Sequence, residues 1–175
     1  MQRRVFLAAL LAALGTSAGA LDRDTPFGSI DGGTLSLSDW SGQAVLVVNT
    51  ASLCAFSDQY SELQTLYDQY RDQGLVVLAV PSDDFNQELA DNAAVKDHCE
   101  LVYGIDMPMT EITRIRGRDA HPFYQSLRQQ TGFVPRWNFN KVLLDRNGDV
   151  AGTFNQMVRP LSRRMIREVE AALQG

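Results

Sequence analysis

The chain has 175 residues, a formal net charge of −5 and 45% hydrophobic residues, enough for one domain with a buried core. An acidic chain without clusters of basic residues argues against nucleic acids and anionic lipids as partners. The two cysteines form no CxxC motif, and no Cys/His cluster or carboxylate pair has metal-ligand spacing. Neither a metal nor another cofactor is therefore expected.

Residues 1–20 have the pattern of a secretory signal peptide. Arg3 and Arg4 are followed by an apolar stretch and then by the small residues Ala-Gly-Ala. General secretion and the twin-arginine route both fit, and an uncleaved apolar anchor is the alternative. Loss of the segment leaves residues 21–175 as a single domain, with 14 basic against 21 acidic residues and a net charge of −7. We expect an exported protein, periplasmic in a Gram-negative bacterium and without stable membrane association.

The first elements of the domain are a hairpin and a buried strand. Residues 29–37 alternate around an Asp-Gly-Gly turn and predict a small β-hairpin. Residues 44–50 form an unbroken apolar run, which is typical of a strand buried on both faces.

A helix and a second strand come next. Residues 57–73 have helical spacing, with Ser57 as the expected N-cap and Gly74 as the end of the helix. Residues 75–80 predict another buried strand that Pro81 ends. A β-α-β order pairs the two strands in parallel through a right-handed crossover.

The second half of the chain predicts three helices and a hairpin. A weak helix covers residues 87–99 and a short one covers 121–130. Strands 141–145 and 150–154 flank an Arg-Asn-Gly-Asp turn, and 162–174 is an amphipathic helix. This order predicts an α/β protein with a thioredoxin-like fold: a small mixed central sheet flanked by helices, with an N-terminal β-hairpin.

Cys54 is the first candidate for a reactive residue. It lies between a buried strand and the start of a helix, where free backbone N–H groups and the helix dipole favour a thiolate. A thiolate in this position can attack an electrophile.

Two motifs resemble the glutathione peroxidase family. VNTASLC, which ends at Cys54, matches its strand-to-cysteine motif, and WNFNK matches its second signature. LVVLAVPSDDFNQEL and YGIDMPM match intervening segments in order, so the resemblance spans about residues 25–172. It implies that Cys54 is the peroxidatic residue and that Trp137 and Asn138 donate hydrogen bonds near its sulfur. An ordinary core tryptophan is the alternative for Trp137.

Asp84 stands where the family has an active-site glutamine. An ionised carboxylate there would disfavour the Cys54 thiolate, whereas a neutral amide could donate to it. Asp84 could be protonated, point away, relay protons through water, or be a solvent-facing loop residue.

Cys99 matches the resolving cysteine of two-cysteine family members, which resemble thioredoxin-dependent enzymes. The resemblance implies reduction of hydrogen peroxide or organic hydroperoxides, with a Cys54 sulfenic acid, a Cys54–Cys99 disulfide and recycling by a thioredoxin-like reductant. No basic cluster near Cys54 is apparent in the sequence to hold the carboxylates of glutathione. The alternative is a non-catalytic thioredoxin-like protein with a structural disulfide or a partner-binding role.

The segment before Trp137 is short, which resembles the monomeric branch of the family. His98 and His121 are poor candidates for a general base, and His121 fits a structural role at a helix start. A role in the response to oxidative stress follows from the expected activity.

Overall fold

The computed structural model describes residues 20–175, so the predicted secretory segment lies outside the described residues except for Ala20. The strands are β1 (Phe27–Gly28), β2 (Thr34–Leu35), β3 (Ala44–Thr50), β4 (Leu75–Pro81), β5 (Lys141–Leu144) and β6 (Val150–Phe154). The helices are α1 (Gln59–Tyr70), α2 (Asn92–Tyr103), α3 (Pro122–Thr131) and α4 (Arg163–Ala172), with short 3₁₀ segments at Leu37–Trp40 and Arg71–Gln73.

The central sheet has the strand order β4-β3-β5-β6. β3 pairs with β4 in parallel, as the predicted crossover requires, and with β5 antiparallel. Every residue of β3 and β4 is buried, because helices cover both faces of the sheet. The mixed sheet and its helices form the predicted thioredoxin-like fold. β1 and β2 form the predicted N-terminal hairpin, but β1 lies just before the predicted span of residues 29–37.

Alternate residues of β3 enter two separate cores. Leu46 and Val48 pack in one core with buried side chains of α1, α2 and α4. Val45 and Val47 pack in the other with α3 and Phe27 of the hairpin. The period-two alternation of a strand therefore divides the helices between the two faces of the sheet.

Two predicted helix starts are wrong. α1 begins at Gln59 rather than at Ser57, whose hydroxyl instead accepts a hydrogen bond from Tyr103 at 3.1 Å. α1 ends at Tyr70, earlier than predicted, and the 3₁₀ segment Arg71–Gln73 continues to the predicted stop at Gly74, which takes a left-handed backbone with φ of 94°.

α2 begins five residues later than predicted, and Cys99 lies inside it rather than at its end. Asp91 is the N-cap and accepts a hydrogen bond from the Ala94 N–H at 2.9 Å. The preceding residues, Gln87 and Glu88, bond to the loop before Cys54 and so do not join the helix. Within residues 20–175, no helix is long and apolar enough to cross a membrane.

Candidate active site

Cys54 lies in the loop that connects β3 to α1. Its side chain is buried, with 3% exposed, while the adjacent Leu53 is 62% exposed. The Phe56 N–H donates to the Cys54 sulfur at 3.5 Å, and the Ser57 N–H donates to the Cys54 carbonyl at 2.9 Å. The backbone before α1 therefore directs one N–H donor toward this sulfur.

Residues 87 and 88 hold the Cys54 loop from the other side. The Leu53 N–H donates to the carbonyl of Gln87 at 2.9 Å. The Ser52 N–H donates to the carboxyl of Glu88 at 2.9 Å. Glu88 is itself buried, and its burial raises the pKa of its carboxyl. The two N–H groups that precede Cys54 are thus both occupied by one short segment.

The tryptophan–asparagine motif is attached to the strand that leads to Cys54. The Asn49 side-chain amide donates to the carbonyl of Trp137 at 3.0 Å, and the Phe139 N–H donates to the carbonyl of Asn49 at 2.6 Å. Trp137 is 37% exposed and packs on Phe85, with ring centroids 5.4 Å apart. Partial exposure distinguishes Trp137 from a core tryptophan.

Gln87 connects this motif to the Cys54 loop. The Asn138 amide nitrogen donates to Oε1 of Gln87 at 2.9 Å, while the Gln87 carbonyl accepts from Leu53. A primary amide carries two N–H donors, so Asn138 keeps one for another acceptor. Among residues 20–175, the sulfur of Cys54 accepts a hydrogen bond from Phe56 alone, and neither Trp137 nor Asn138 bonds to it in this conformation.

The backbone is strained next to both residues of the Gln87–Asn138 hydrogen bond. Asn86 and Phe139 have φ values of 55° and 60°, and they are the non-glycine residues with positive φ in the described part of the chain. One precedes Gln87 and the other follows Asn138. A left-handed backbone is costly for a bulky side chain such as Phe and is concentrated at functional sites.

Asp84 is directed toward a different loop. Its Oδ2 accepts hydrogen bonds from the N–H groups of Ile115 at 2.7 Å and Arg116 at 2.9 Å. Two backbone donors satisfy one carboxylate oxygen, so this geometry favours the interpretation in which Asp84 points away from the sulfur.

Cys99 is a free, buried thiol in α2 and belongs to the same apolar core as Cys54. Burial raises the pKa of Cys99 to about 11, the Tyr60 hydroxyl beside it lowers the value in part, and Glu88 and Glu100 raise it further. The described part of the chain contains no group of three or more His, Cys, Asp or Glu placed to hold a metal ion.

His121 has the structural role expected of it. Its Nδ1 accepts a hydrogen bond from the Phe123 N–H at 3.3 Å as the N-cap of α3, and its ring stacks on Phe27. Burial lowers the pKa of its imidazole.

Gln87 and Glu88 were missed as site residues in the sequence. Both lie in a stretch that has helical composition, and their partners are 36 and 51 residues away along the chain. A neutral amide three residues after Asp84 was the one available signal.

Comparison with known proteins identifies the family. Residues 24–128 match the glutathione peroxidase family profile. The chain is 39% identical over 137 residues to a glutathione peroxidase of Lactococcus lactis, covering 75% of this chain and 87% of the relative. The chain belongs to the glutathione peroxidase family. It is therefore a peroxidase, an oxidoreductase that acts on hydroperoxides.

One further relative and one solved structure extend the comparison. The hydroperoxy fatty acid reductase gpx1 of Synechocystis is 35% identical over 143 residues, covering 75% of this chain and 85% of the relative. The crystal structure of Trgpx in apo form superposes with a TM-score of 0.70 at 26% identity, covering 89% of this chain and 97% of that one.

Proposed function

We propose that this glutathione peroxidase family member is a two-cysteine thiol peroxidase in which Cys54 attacks the hydroperoxide. The observation that carries the proposal is the connected geometry around Cys54. Phe56 donates to its sulfur, and Gln87 links its loop to Asn138. Donors beside a nucleophilic sulfur stabilise both the thiolate and the departing alkoxide.

The first step converts the thiolate to a sulfenic acid. The Cys54 sulfur attacks the terminal oxygen of ROOH, the O–O bond breaks, and the leaving RO⁻ takes up a proton to become ROH. The sulfur is oxidised by two electrons and the peroxide is reduced by two. Trp137 and the free N–H of Asn138 would donate to the leaving oxygen once the substrate is bound.

Cys99 resolves the sulfenic acid in the second step. Its sulfur attacks that of Cys54, an S–S bond forms, and the hydroxyl leaves as water with the thiol proton. Support comes from the loose attachment of α2, in which the buried side chains are those of Val95 and Cys99. Leu101 and Val102 of the same helix are 85% and 59% exposed. A helix with so little buried surface can open locally and bring its cysteine to Cys54.

A thioredoxin-like dithiol protein then reduces the disulfide. Thiol–disulfide exchange returns both cysteines to thiols and leaves the donor as a disulfide. An internal second cysteine supports this donor over glutathione, because Cys99 supplies the first thiol. The name of the Synechocystis relative supports organic hydroperoxides as substrates beside hydrogen peroxide.

The protein is proposed to be exported and monomeric. Export rests on the pattern of residues 1–20, and the predicted location is the periplasm of a Gram-negative bacterium. The N-terminal sequence of the secreted form tests export, since a cleaved signal would leave Leu21 first. The monomer is tested by the mass in solution.

Intact-mass measurement of the peroxide-treated protein tests the mechanism. One equivalent of hydrogen peroxide should remove two hydrogens from the reduced protein, and a thioredoxin with its reductase should restore them. Cys99→Ser should stop at the sulfenic acid and then proceed to sulfinic acid. Peptide mapping that finds both thiols free after treatment would overturn the resolving role, and no Cys54-dependent reaction would favour the non-catalytic alternative.

A further inference from the structure

Lys141, the first residue of β5, is a buried cation that bonds to neutral groups. Its side chain is fully buried, and its ammonium donates to Oε1 of Gln59 and to the carbonyl of Phe139, both at 2.8 Å. None of the salt bridges among residues 20–175 includes Lys141. A buried charge is costly without an ionic partner, because it has lost its contact with water. The chemistry of the two cysteines does not use this cation.

The charged groups that face Lys141 do not neutralise it. They are Glu62 of α1 and Arg159 of the loop before α4. These two bond to each other, since Nε of Arg159 donates to Oε1 of Glu62 at 2.7 Å. The neighbouring strands β3 and β6 each place an apolar residue opposite Lys141. Burial lowers the pKa of Lys141 to about 7, Glu62 opposes this effect, and Arg159 adds to it.

The backbone of Phe139, to which Lys141 donates, is strained and fixed at both of its polar groups. Its φ of 60° is in the left-handed region, which is costly for a bulky side chain. The Phe139 N–H donates to the carbonyl of Asn49 at 2.6 Å, and its carbonyl accepts from Lys141. A hydrogen bond from a charged donor is roughly twice as strong as a neutral one. Lys141 is therefore suited to maintain the strained conformation.

The left-handed turn at Phe139 determines where Asn138 lies. Asn138 is the preceding residue, and its buried amide donates to Oε1 of Gln87 at 2.9 Å. The Gln87 carbonyl accepts from Leu53, next to Cys54. A rotation about the φ or ψ bond of Phe139 would move Asn138 relative to β5, and therefore relative to the Cys54 loop.

We propose that Lys141 is a positioning residue for the oxidation of Cys54: its ammonium holds the carbonyl of Phe139 and so keeps the preceding amide in place for the departing alkoxide. The proposal rests on the peroxidase function proposed above, in which Asn138 donates to the leaving oxygen. A neutral amine keeps two N–H donors but forms a weaker bond than the ammonium does. The contribution of Asn138 to the rate should therefore be greater at pH 6 than at pH 8.5.

The test compares the rates of Cys54 oxidation with and without Asn138 across this pH range. Hydrogen peroxide is added in single-turnover stopped flow to proteins that all carry Cys99→Ser, so that one cysteine remains. Each rate constant is divided by the fraction of Cys54 thiolate, measured from its absorbance at 240 nm, because Asn138→Ala can itself change the pKa of the thiol. The ratio of these rate constants, Asn138 over Asn138→Ala, should fall about threefold as the pH rises through about 7. A ratio that is flat or rises with pH would overturn the proposal.

Lys141→Met keeps the length of the side chain and removes its donors. At pH 6 the thiolate-specific rate constant should fall about threefold to tenfold, the scale of a lost charged hydrogen bond. Addition of Asn138→Ala to this variant should cost less than it does in the presence of Lys141, and that cost should not depend on pH. A full, pH-dependent cost of Asn138→Ala without Lys141 would contradict the proposal. If Lys141→Met does not fold, the pH dependence with Lys141 present still decides.

Gln64→Met is the matched control for the loss of a buried polar side chain. Gln64 of α1 is buried and accepts hydrogen bonds from the N–H groups of Asp106 at 3.0 Å and Met107 at 3.3 Å, which lie outside the tryptophan–asparagine motif. The substitution should lower stability and leave the rate of Cys54 oxidation and its pH dependence unchanged. An equal fall of the rate in Gln64→Met would show that lost stability, not lost positioning, slows the reaction.

NMR of the Asn138 side-chain amide provides a readout that does not need turnover. The protein carries Cys54→Ser and Cys99→Ser, so that no thiol titrates, and Asn138→Ala assigns the resonances. They should shift with a midpoint near pH 7 and lose this transition when Lys141→Met is added. If hydrogen peroxide oxidises Cys54 in no protein, the proposed function fails while these resonances still decide whether Lys141 holds Asn138. Resonances that do not respond to pH, or a transition that persists in Lys141→Met, would overturn the positioning role even in an active peroxidase.

Discussion

The Asn138 amide nitrogen donates to Oε1 of Gln87 across 2.9 Å, and this bond joins two segments with left-handed backbone next to it. The carbonyl of the same glutamine accepts from Leu53, the neighbour of Cys54. Gln87 is therefore a positioning residue for Asn138 relative to the Cys54 loop. Because Gln87 acts through Asn138, its substitution should change the rate of Cys54 oxidation only when Asn138 is present.

Gln87→Met should lower the rate constant for oxidation of Cys54 by peroxide about threefold to tenfold. Methionine keeps the length of the side chain but cannot accept the Asn138 hydrogen bond, whose net value is ~1 kcal/mol. Asn138→Ala should lower the rate at least as much, and the double variant should be no slower than Asn138→Ala. Stopped-flow measurement of the four proteins gives the coupling. Additive losses would show that the two residues act independently.

The strands and hairpins were predictable from the sequence because their signals are local. The buried run of β3 and the Arg-Asn-Gly-Asp turn between β5 and β6 depend on neighbouring residues only. The start of α2 was not predictable in this way. Gln87 and Glu88 have helical composition, but bonds to residues distant in sequence remove them from the helix.

In the candidate active site, too, local features were predictable and contacts between distant residues were not. Cys54 and the tryptophan–asparagine motif were recognisable because each is a continuous segment. The connection through Gln87 was not, because its partner Asn138 lies 51 residues away along the chain and only the fold places them together.

Asp84→Ala should destabilise the protein more than Asp84→Asn. The backbone N–H groups of Ile115 and Arg116 both donate to one oxygen of Asp84. The side-chain carbonyl of an asparagine can accept both hydrogen bonds, whereas alanine has no acceptor. The loss in alanine should be ~1–3 kcal/mol in the free energy of unfolding, measured with urea. Asp72→Asn, at an exposed position, is the control.

Asp84→Gln decides between the interpretations of this residue. A carboxylate beside the sulfur, as the family position of Asp84 implies, would disfavour the thiolate, so its removal would speed the peroxide reaction. With the carboxylate directed at Ile115 and Arg116, we expect the rate to change by less than about twofold, since an opposing charge beyond the contact distance is weakened by solvent. A tenfold increase in the rate would indicate that the Asp84 carboxylate lies close enough to the Cys54 sulfur to oppose the thiolate. A large decrease would indicate that Asp84 relays protons.

Asp91→Ala should accelerate formation of the disulfide. Asp91 caps α2 through the Ala94 N–H, and loss of an N-cap costs ~1 kcal/mol of helix stability. If Cys99 reaches Cys54 only when α2 opens, a weaker helix should speed this step by up to about fivefold. Quenched-flow alkylation followed by mass analysis separates it from the first step.

Ser162→Ala is the matched control for this prediction. Ser162 caps α4 through the Met165 N–H, so the substitution removes an equivalent bond from a helix that carries no cysteine. It should leave the rate of disulfide formation unchanged. A slower rate in Asp91→Ala would mean that the intact α2 presents Cys99 for attack.

Lys141 should make the stability of the protein rise with pH above neutrality. The side chain is fully buried and donates to Gln59 and to the carbonyl of Phe139, and burial lowers the pKa of Lys141 to about 7. An unfolded lysine has a pKa of about 10.4. Below pH ~7 both states are protonated and the folded state bears the full cost of a buried cation. Between ~7 and ~10.4 the unfolded state binds more protons, so the free energy of unfolding should rise by up to ~1.4 kcal/mol per pH unit.

Lys141→Met removes this titration. The variant leaves the acceptors of Gln59 and Phe139 without their donor, a cost that does not depend on pH. The difference in free energy of unfolding, variant minus wild type, should therefore decrease as the pH rises from 6 to about 9, as urea titrations under reducing conditions can measure.

The chain's other lysine, Lys96, is the control, because its partner Asp31 raises its pKa and leaves it protonated across this range. Lys96→Met should give a difference that is flat with pH, and an equally flat difference for Lys141→Met would show that Lys141 stays charged in the core.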